Sequence, residues 1–172
     1  HLITQKLQMT YPSKFDSSNL DKNQQLILQA FFQRRNLFDK YIKETKIELH
    51  TCPGCGYPTL TERGSYEICS VCNWEDDDQD DDRADEVWGG PNYQLSLTEN
   101  RLNIGQQLSK TAEEIGGRID NDPKSVISII ARHENRVSEL LKRIPEDADQ
   151  SHPILNEYNN MEHGLLRQLI VT

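Results

Sequence analysis

The stretch that decides the fold reads Cys52-Pro53-Gly54-Cys55-Gly56 and, after thirteen residues between Cys55 and Cys69, Cys69-Ser70-Val71-Cys72-Asn73. All four cysteines of the chain lie in these two Cys-x-x-Cys pairs. A tetrahedral zinc needs four thiolates about 2.3 Å from the metal, and one such loop supplies two of them. Gly56 and Asn73 hold equivalent places, and both residue types tolerate the positive φ in which such a loop ends. The spacing predicts one structural zinc per chain, bound by Cys52, Cys55, Cys69 and Cys72.

Other uses of four cysteines stay open at this point. They could form disulfides in three pairings, or one pair could be redox-active, or the set could hold iron. Disulfides are the weaker interpretation, because no secretory leader is visible and the flanking sequence can supply its own core. A redox pair would not need a matched second pair. A closed set of four thiolates leaves no coordination position for water or substrate, so we expect a structural site rather than a catalytic one.

The surroundings of the cysteines carry a pattern in residues 52–57, 59–60, 62–69, 71–72, 74–77, 90–92 and 96–97, with Arg101 and Asn103. This pattern resembles the cysteine-rich CPCC family of small, mostly bacterial proteins over about residues 50–104. The resemblance implies a zinc ribbon and little about activity, and domains of this kind also resemble some cargo of bacterial toxin–immunity loci. The chain departs from the family at Gly54, where the eponymous motif has a further cysteine.

An acidic run lies directly after the second pair. The chain has 28 acids against 19 bases, and nine of those acids, with one arginine, fall between Glu75 and Glu86. A protein that holds nucleic acid neutralises phosphates with Lys and Arg, so nucleic acid is an improbable partner. The run instead favours a cation or a basic protein surface. The predicted partner-binding residues are Asp76, Asp77, Asp78, Asp80, Asp81, Asp82, Asp85, Glu86 and Trp88.

The run also has two simpler interpretations. It can be a solvated, partly disordered loop, which is the usual fate of a block of like charges. It can be a calcium loop, since Asp76, Asp78 and Asp80 have the alternate spacing that begins one. The calcium pattern then fails, because Asp81 stands where the turn glycine belongs and Val87 where the bidentate glutamate belongs.

The rest of the chain has helical periodicity. Apolar residues at steps of three and four predict a first helix from about Leu20 to Lys46, with Ser18 as a candidate cap. Ser96-Leu97-Thr98-Glu99 has the form of a capping box and predicts a second helix, which Gly116-Gly117 stops. Asp122-Pro123 and His152-Pro153 predict the starts of a third and a fourth.

The predicted fold class is α+β: a mainly helical bundle with an inserted four-cysteine zinc ribbon. Within the ribbon, residues 57–61 and 66–68 are predicted to pair as a short β-hairpin. The domain division has three parts. Residues 1–46 form an N-terminal segment and amphipathic helix, 47–104 the ribbon with its acidic loop, and 105–172 a helical region packing with the N-terminal helix.

Composition and the absence of certain motifs argue against several classes of function. No run approaches the roughly 20 apolar residues of a membrane span and no leader is visible, so we expect a cytoplasmic protein with no membrane partner. Phosphate loops, serine-nucleophile elbows and His-Glu-x-x-His motifs are absent, so we expect no enzymatic activity. The predicted function is a protein-binding module: a bacterial immunity protein that inhibits a basic toxin, such as a nuclease, through its acidic surface. The alternative is a zinc-ribbon regulatory or nucleic-acid-binding protein.

Overall fold

The computed structural model describes residues 16–172, apart from the side chains at positions 162 and 163. Residues 1–15 of the predicted N-terminal segment lie outside the described residues. The chain forms two compact units, the first ending at Gln106 and the second spanning Gln107–Thr172. The described part is mainly helical, with α1 (Lys22–Thr45), α2 (Leu97–Ile115), α3 (Pro123–Lys142) and α4 (Pro153–Gln168). None of these helices is both long enough and apolar enough to cross a lipid bilayer.

In the first unit, α1 begins with a capping box, but not the predicted one. The Asp21 carboxylate accepts from the Gln24 backbone N–H at 2.8 Å, and the Gln24 side chain accepts from the Asp21 N–H at 3.0 Å. Ser18 instead lies in a short 3₁₀ helix, Ser17–Asn19. Asp21 is better placed because Gln24, three residues on, can reach back as the box requires. The buried face of α1 carries Phe31, Arg34, Arg35 and Phe38.

The segment between α1 and α2 is irregular and folds around its cysteines. It includes two 3₁₀ turns, Asp81–Arg83 and Gly90–Asn92. The predicted hairpin is replaced by two local pairings, His50 with Leu60 and Ile68 with Glu75. Each pairing closes over one cysteine pair, and the turn geometry of that pair brings its own two flanks together.

The first residues of α2 also belong to the first unit, and here the predicted capping box is confirmed. Ser96 N–H donates to the Glu99 carboxylate at 2.8 Å, and Glu99 N–H donates to Ser96 Oγ at 3.1 Å. A Cβ on Gly105 would collide with the Ile27 side chain, so glycine allows α2 to approach α1 closely.

In the second unit, α2 ends at Ile115 and Gly116 adopts φ +65°, as the Gly-Gly stop predicts. The strands β1 (Arg118–Ile119) and β2 (Ile170–Val171) then pair antiparallel. A Cβ on Gly117 would lie 2.6 Å from the Val171 carbonyl oxygen, so this pairing depends on glycine. The sequence pattern did not predict these two-residue strands.

The helices α3 and α4 of this unit begin where predicted. Asp122 and His152 cap them through side-chain bonds to the N–H groups of Ser125 and Ile154. The two helices pack against each other, and α3 buries Val126, Ile129, Ile130, His133 and Leu140. The predicted packing of the N-terminal helix with the region after residue 104, and the three-part domain division, stay predictions.

Candidate metal centre

The first cysteine pair forms a tight loop closed by its own backbone. Gly56 N–H donates to the Cys52 carbonyl at 2.8 Å, and Cys52 N–H donates to the Tyr57 carbonyl at 2.8 Å. Gly54 N–H points at the Cys52 sulfur at 3.3 Å. Gly56 has φ +81°, a conformation that glycine adopts without steric cost. We call residues 52–56 the first knuckle.

The second pair repeats this loop bond for bond. Asn73 N–H donates to the Cys69 carbonyl at 2.9 Å, and Cys69 N–H donates to the Trp74 carbonyl at 2.9 Å. Val71 N–H points at the Cys69 sulfur at 3.4 Å, and Asn73 has φ +62°. Residues 69–73 are therefore a second knuckle, equivalent to the first. The predicted positive φ at both Gly56 and Asn73 is confirmed.

The two knuckles bring all four cysteine sulfurs together. The Sγ atoms all lie within 4.8 Å of one another. Cys52 and Cys72 are 3.7 Å apart, and Cys55 and Cys69 are 3.6 Å apart. All four thiols are free, because a disulfide would require about 2.05 Å. Four thiolates placed tetrahedrally about 2.3 Å from a zinc would be about 3.8 Å apart, so the cluster has dimensions that suit a metal ion.

The cluster is buried, and burial governs its ionisation. Cys52, Cys55 and Cys69 are fully inaccessible to solvent. Burial raises the pKa of Cys52 and Cys55 well above the ordinary thiol value. Burial also opposes ionisation of Cys69, but hydrogen bonds from the neighbouring thiols and from Thr59 Oγ1, at 3.0 Å, lower its pKa well below that value. Four thiolates in this interior therefore need a cation to balance their charge.

Side chains from α1 and α2 hold the first knuckle by three consecutive carbonyl groups. Arg101 Nε donates to the Pro53 carbonyl at 2.8 Å and Asn100 Nδ2 to the Gly54 carbonyl at 3.2 Å. Arg34 Nε donates to the Cys55 carbonyl at 2.8 Å. Sequence reasoning did not assign these three side chains to the site. A signal existed for Arg34, because it is a cation within the apolar face of α1.

Gly54 is enclosed by this arrangement. A Cβ at Gly54 would lie 2.5 Å from Asn100 Nδ2, 3.0 Å from Trp74 Cβ and 3.2 Å from Cys72 Sγ. A side chain at this position, where the motif that the chain resembles has a further cysteine, would therefore require Asn100 to move. The metal-binding set is complete without it.

The acidic run is folded into the same unit and bound by arginines. Asp76 is fully buried and accepts from Arg63 Nε at 2.9 Å and from Gly64 N–H at 2.7 Å. Arg35 binds both oxygens of Asp80, at 2.7 and 3.0 Å, and Arg63 binds Asp80 at 2.8 Å. Burial opposes the charge of Asp80, but Arg35 and Arg63 hold its pKa well below the ordinary value.

The run is also linked to the first knuckle. Arg101, which bonds the Pro53 carbonyl, binds Asp81 Oδ1 with Nη2 at 2.6 Å. Arg35, which bonds Thr51 Oγ1 at 3.2 Å, reaches the same Asp81 oxygen at 3.2 Å. Two arginines from different helices therefore connect the cysteine loop to the acidic run.

The remaining predicted contact residues lie in different environments. Asp77 is buried, and burial raises its pKa. Asp85 accepts from Ser17 Oγ and Thr98 Oγ1. Glu86 accepts from Arg83 Nε at 2.8 Å and from Trp88 Nε1 at 2.9 Å, and Arg83 stacks on the Trp88 ring, 4.8 Å from its centroid.

Asp78 and Asp82 are the two acids of the run that are exposed and bind no donor among residues 16–172. The structure therefore does not show the acidic run as a partly disordered loop, which was one interpretation of its charge. Among these described residues, the four cysteines form the cluster that could hold a metal ion. Asp76, Asp78 and Asp80 do not form such a cluster there.

Comparison with known proteins agrees with the cysteine pattern. Residues 50–115 match the model of a protein family described as "Cysteine-rich CPCC", which confirms the resemblance predicted over residues 50–104. The match covers less than half of the 172-residue chain. Searches of curated proteins and of solved structures gave no match.

Proposed function

We propose that the protein is a non-enzymatic binding module in which a structural zinc holds an acidic surface ready to dock on a basic protein. Inhibition of a basic toxin, such as a nuclease, by an immunity protein is the activity that fits this surface best. Carboxylates on a fixed scaffold imitate the phosphate chain that such an enzyme would otherwise hold.

Zinc is the metal that the donor set supports. Four buried sulfurs in two matched knuckles are typical of a structural zinc site, and soft thiolate ligands disfavour magnesium and calcium. The N–H groups of Gly54 and Val71 and the Thr59 hydroxyl supply hydrogen bonds to the ligand sulfurs. Such outer partners orient the ligands and tune the metal affinity.

The observation that carries the docking proposal is the ordering of the acidic run. Its nine acids meet four arginines, Arg35, Arg63, Arg83 and Arg101, so a net negative charge of five remains. The arginines fix the backbone, while Asp78 and Asp82 keep their carboxylates in solvent. A surface that is ordered before binding loses less entropy when a partner docks.

A binding and growth experiment tests this function. The protein would be co-expressed with any basic toxin domain that a neighbouring gene is found to encode, and complex formation would be measured by calorimetry. We expect a stable complex that weakens as salt rises, restored growth, and a weaker complex with Asp78→Asn/Asp82→Asn. No complex with any basic neighbour, together with salt-sensitive binding to DNA or RNA, would support the regulatory alternative instead.

A further inference from the structure

Two exposed apolar side chains, Tyr66 and Ile68, lie on the segment just before the second knuckle. Tyr66 N–H donates to the Asp76 carbonyl at 2.9 Å, Asp76 N–H donates to the Glu67 carbonyl at 3.0 Å, and Ile68 pairs with Glu75. Tyr66 and Ile68 are 52% and 60% exposed, so both side chains reach solvent.

A third exposed apolar side chain is held next to the same pairing. The Asn92 amide clamps Glu75 by accepting from its N–H at 3.0 Å and donating to its carbonyl at 2.7 Å. Tyr93 follows directly and is 80% exposed. The backbone segments that carry Tyr66, Ile68 and Tyr93 are therefore neighbours, and we call these three residues the tyrosine surface.

Both tyrosines have a backbone conformation that local backbone hydrogen bonds hold in place but that a bulky side chain disfavours. Tyr66 has φ +62° and Tyr93 has φ +57°. A bulky residue at positive φ is strained, whereas glycine or asparagine is not. Because Tyr66 is 52% exposed and Tyr93 is 80% exposed, packing within the described chain offsets this strain only in part. The exposed rings are therefore available for a contact outside the chain.

The charges around this surface indicate the chemistry of the contact. Glu75 is the direct partner of Ile68 in the pairing, and Asp78 lies against Gly64, two residues before Tyr66. No donor among residues 16–172 binds the carboxylate of either acid. A second copy of the chain would bring these carboxylates against each other, whereas lysines and arginines would complement them. Arginine also stacks on tyrosine rings.

We propose that Tyr66, Ile68 and Tyr93 form the apolar centre of the docking surface and that its occupant is an arginine-bearing face of a basic protein. Glu75 and Asp78 form the charged rim. This inference rests on the proposed function and locates it: the exposed aromatic residues supply most of the affinity, and the acids supply steering.

The test uses two synthetic 12-residue peptides of equal charge, one alternating Arg with Trp and Leu, the other alternating Lys with Gly and Ser. Binding is measured by calorimetry and mapped by NMR. We expect the Arg/Trp peptide to bind at least tenfold more tightly and to perturb residues 64–68, 75–78 and 92–95. The double variant Tyr66→Gly/Tyr93→Gly should lose at least tenfold in affinity for it, while its melting temperature stays equal or rises.

Leu141→Ala is the matched control, because Leu141 is 51% exposed on α3 in the second unit; its affinity should be unchanged. Equal affinity of the double-glycine variant and the unchanged protein would overturn the tyrosine surface while leaving the acidic docking function standing. Failure of both peptides to bind would contradict the proposed function itself. Self-association that is lost in the double variant, measured by light scattering, would show that the occupant is a second copy and overturn the proposal.

Discussion

Arg35 and Asp80 form a two-point ion pair across 45 residues of sequence, with Nη1–Oδ1 at 2.7 Å and Nη2–Oδ2 at 3.0 Å. The arginine side chain is 11% exposed and the aspartate side chain 31%. Because Arg35 lies on α1 and Asp80 in the acidic run, the pair fixes a segment that its own charge would otherwise extend. The acidic run is therefore part of the folded unit and not an appendage to it.

Removing Arg35 should loosen the acidic run. Arg35→Leu leaves a partly buried aspartate with one arginine fewer, so we expect the free energy of unfolding to fall by about 2 kcal/mol. Hydrogen exchange should accelerate in residues 76–86. The matched control is Lys40→Ala, which removes an exposed pair with Glu44 at 3.9 Å and should cost less than about 0.5 kcal/mol. Equal, small losses of stability in both variants would show that Arg35 does not hold the acidic run in place.

The stabilising effect of Asp80 should depend on pH. Its pKa is lowered in the folded protein, so its contribution is present above the ordinary value of 3.8 and is lost as the pH falls below it. Asp80→Asn should therefore destabilise the protein at pH 7, and the difference from the unchanged protein should shrink as the pH falls towards 3. Denaturant titrations of both proteins across this range measure the difference. A difference that is the same at every pH would rule out the ion pair as its cause.

Asp77 should behave in the opposite way. Burial raises its pKa, so its carboxylate is unfavourable above the ordinary value, and its effect on stability improves as the pH falls. Asp77→Asn keeps the shape and removes the charge. We expect it to be neutral or stabilising at pH 7, in contrast to Asp80→Asn, by the same titrations. A loss as large as that of Asp80→Asn would show that the Asp77 charge is needed.

The features that could be predicted from the sequence are mostly those that depend on neighbouring residues. The two knuckles, the positive φ of Gly56 and Asn73, and the Ser96–Glu99 capping box follow from residues a few positions apart. The ion pairs of Arg35 and Arg101 with the acidic run join residues 20 to 46 positions apart, and nothing in the local pattern selects these two arginines as partners of acids. The predicted hairpin was wrong because Leu60 and Ile68 each pair with the opposite flank of their own knuckle, His50 and Glu75, instead of with each other.

Elemental analysis should find about one zinc per chain. Cys69→Ser should lose the metal and, with it, the fold of the first unit, because metal binding of this class contributes on the order of 10 kcal/mol to folding. Ser151→Ala, an exposed serine in the second unit, serves as the control and should keep the metal. A metal-free native protein with disulfides, detected by thiol titration, would show the zinc assignment to be wrong.

Thr59 should tune the metal without binding it. Its hydroxyl donates to the Cys69 sulfur at 3.0 Å, and loss of such an outer hydrogen bond typically lowers metal affinity by 10- to 100-fold. Thr59→Val keeps the size and removes the donor. We expect zinc to remain at one per chain but to exchange to a competing chelator at lower chelator concentration. An unchanged competition curve would leave Thr59 with a packing role alone.

The third position of the first knuckle should reject any side chain. In Gly54→Ala the new methyl carbon would lie 2.5 Å from Asn100 Nδ2 and 3.0 Å from Trp74 Cβ, so we expect a loss of about 2 kcal/mol by denaturant titration. Asn100→Ala removes the nearest atom, so the double variant should be less destabilised than the sum of the two single changes. Gly54→Cys should be destabilised in the same way and should not raise the zinc content, because four ligands already complete a tetrahedral site. A stable Gly54→Cys protein would mean that Asn100 moves aside, and that the family's cysteine at this position can coexist with the helix contact seen here.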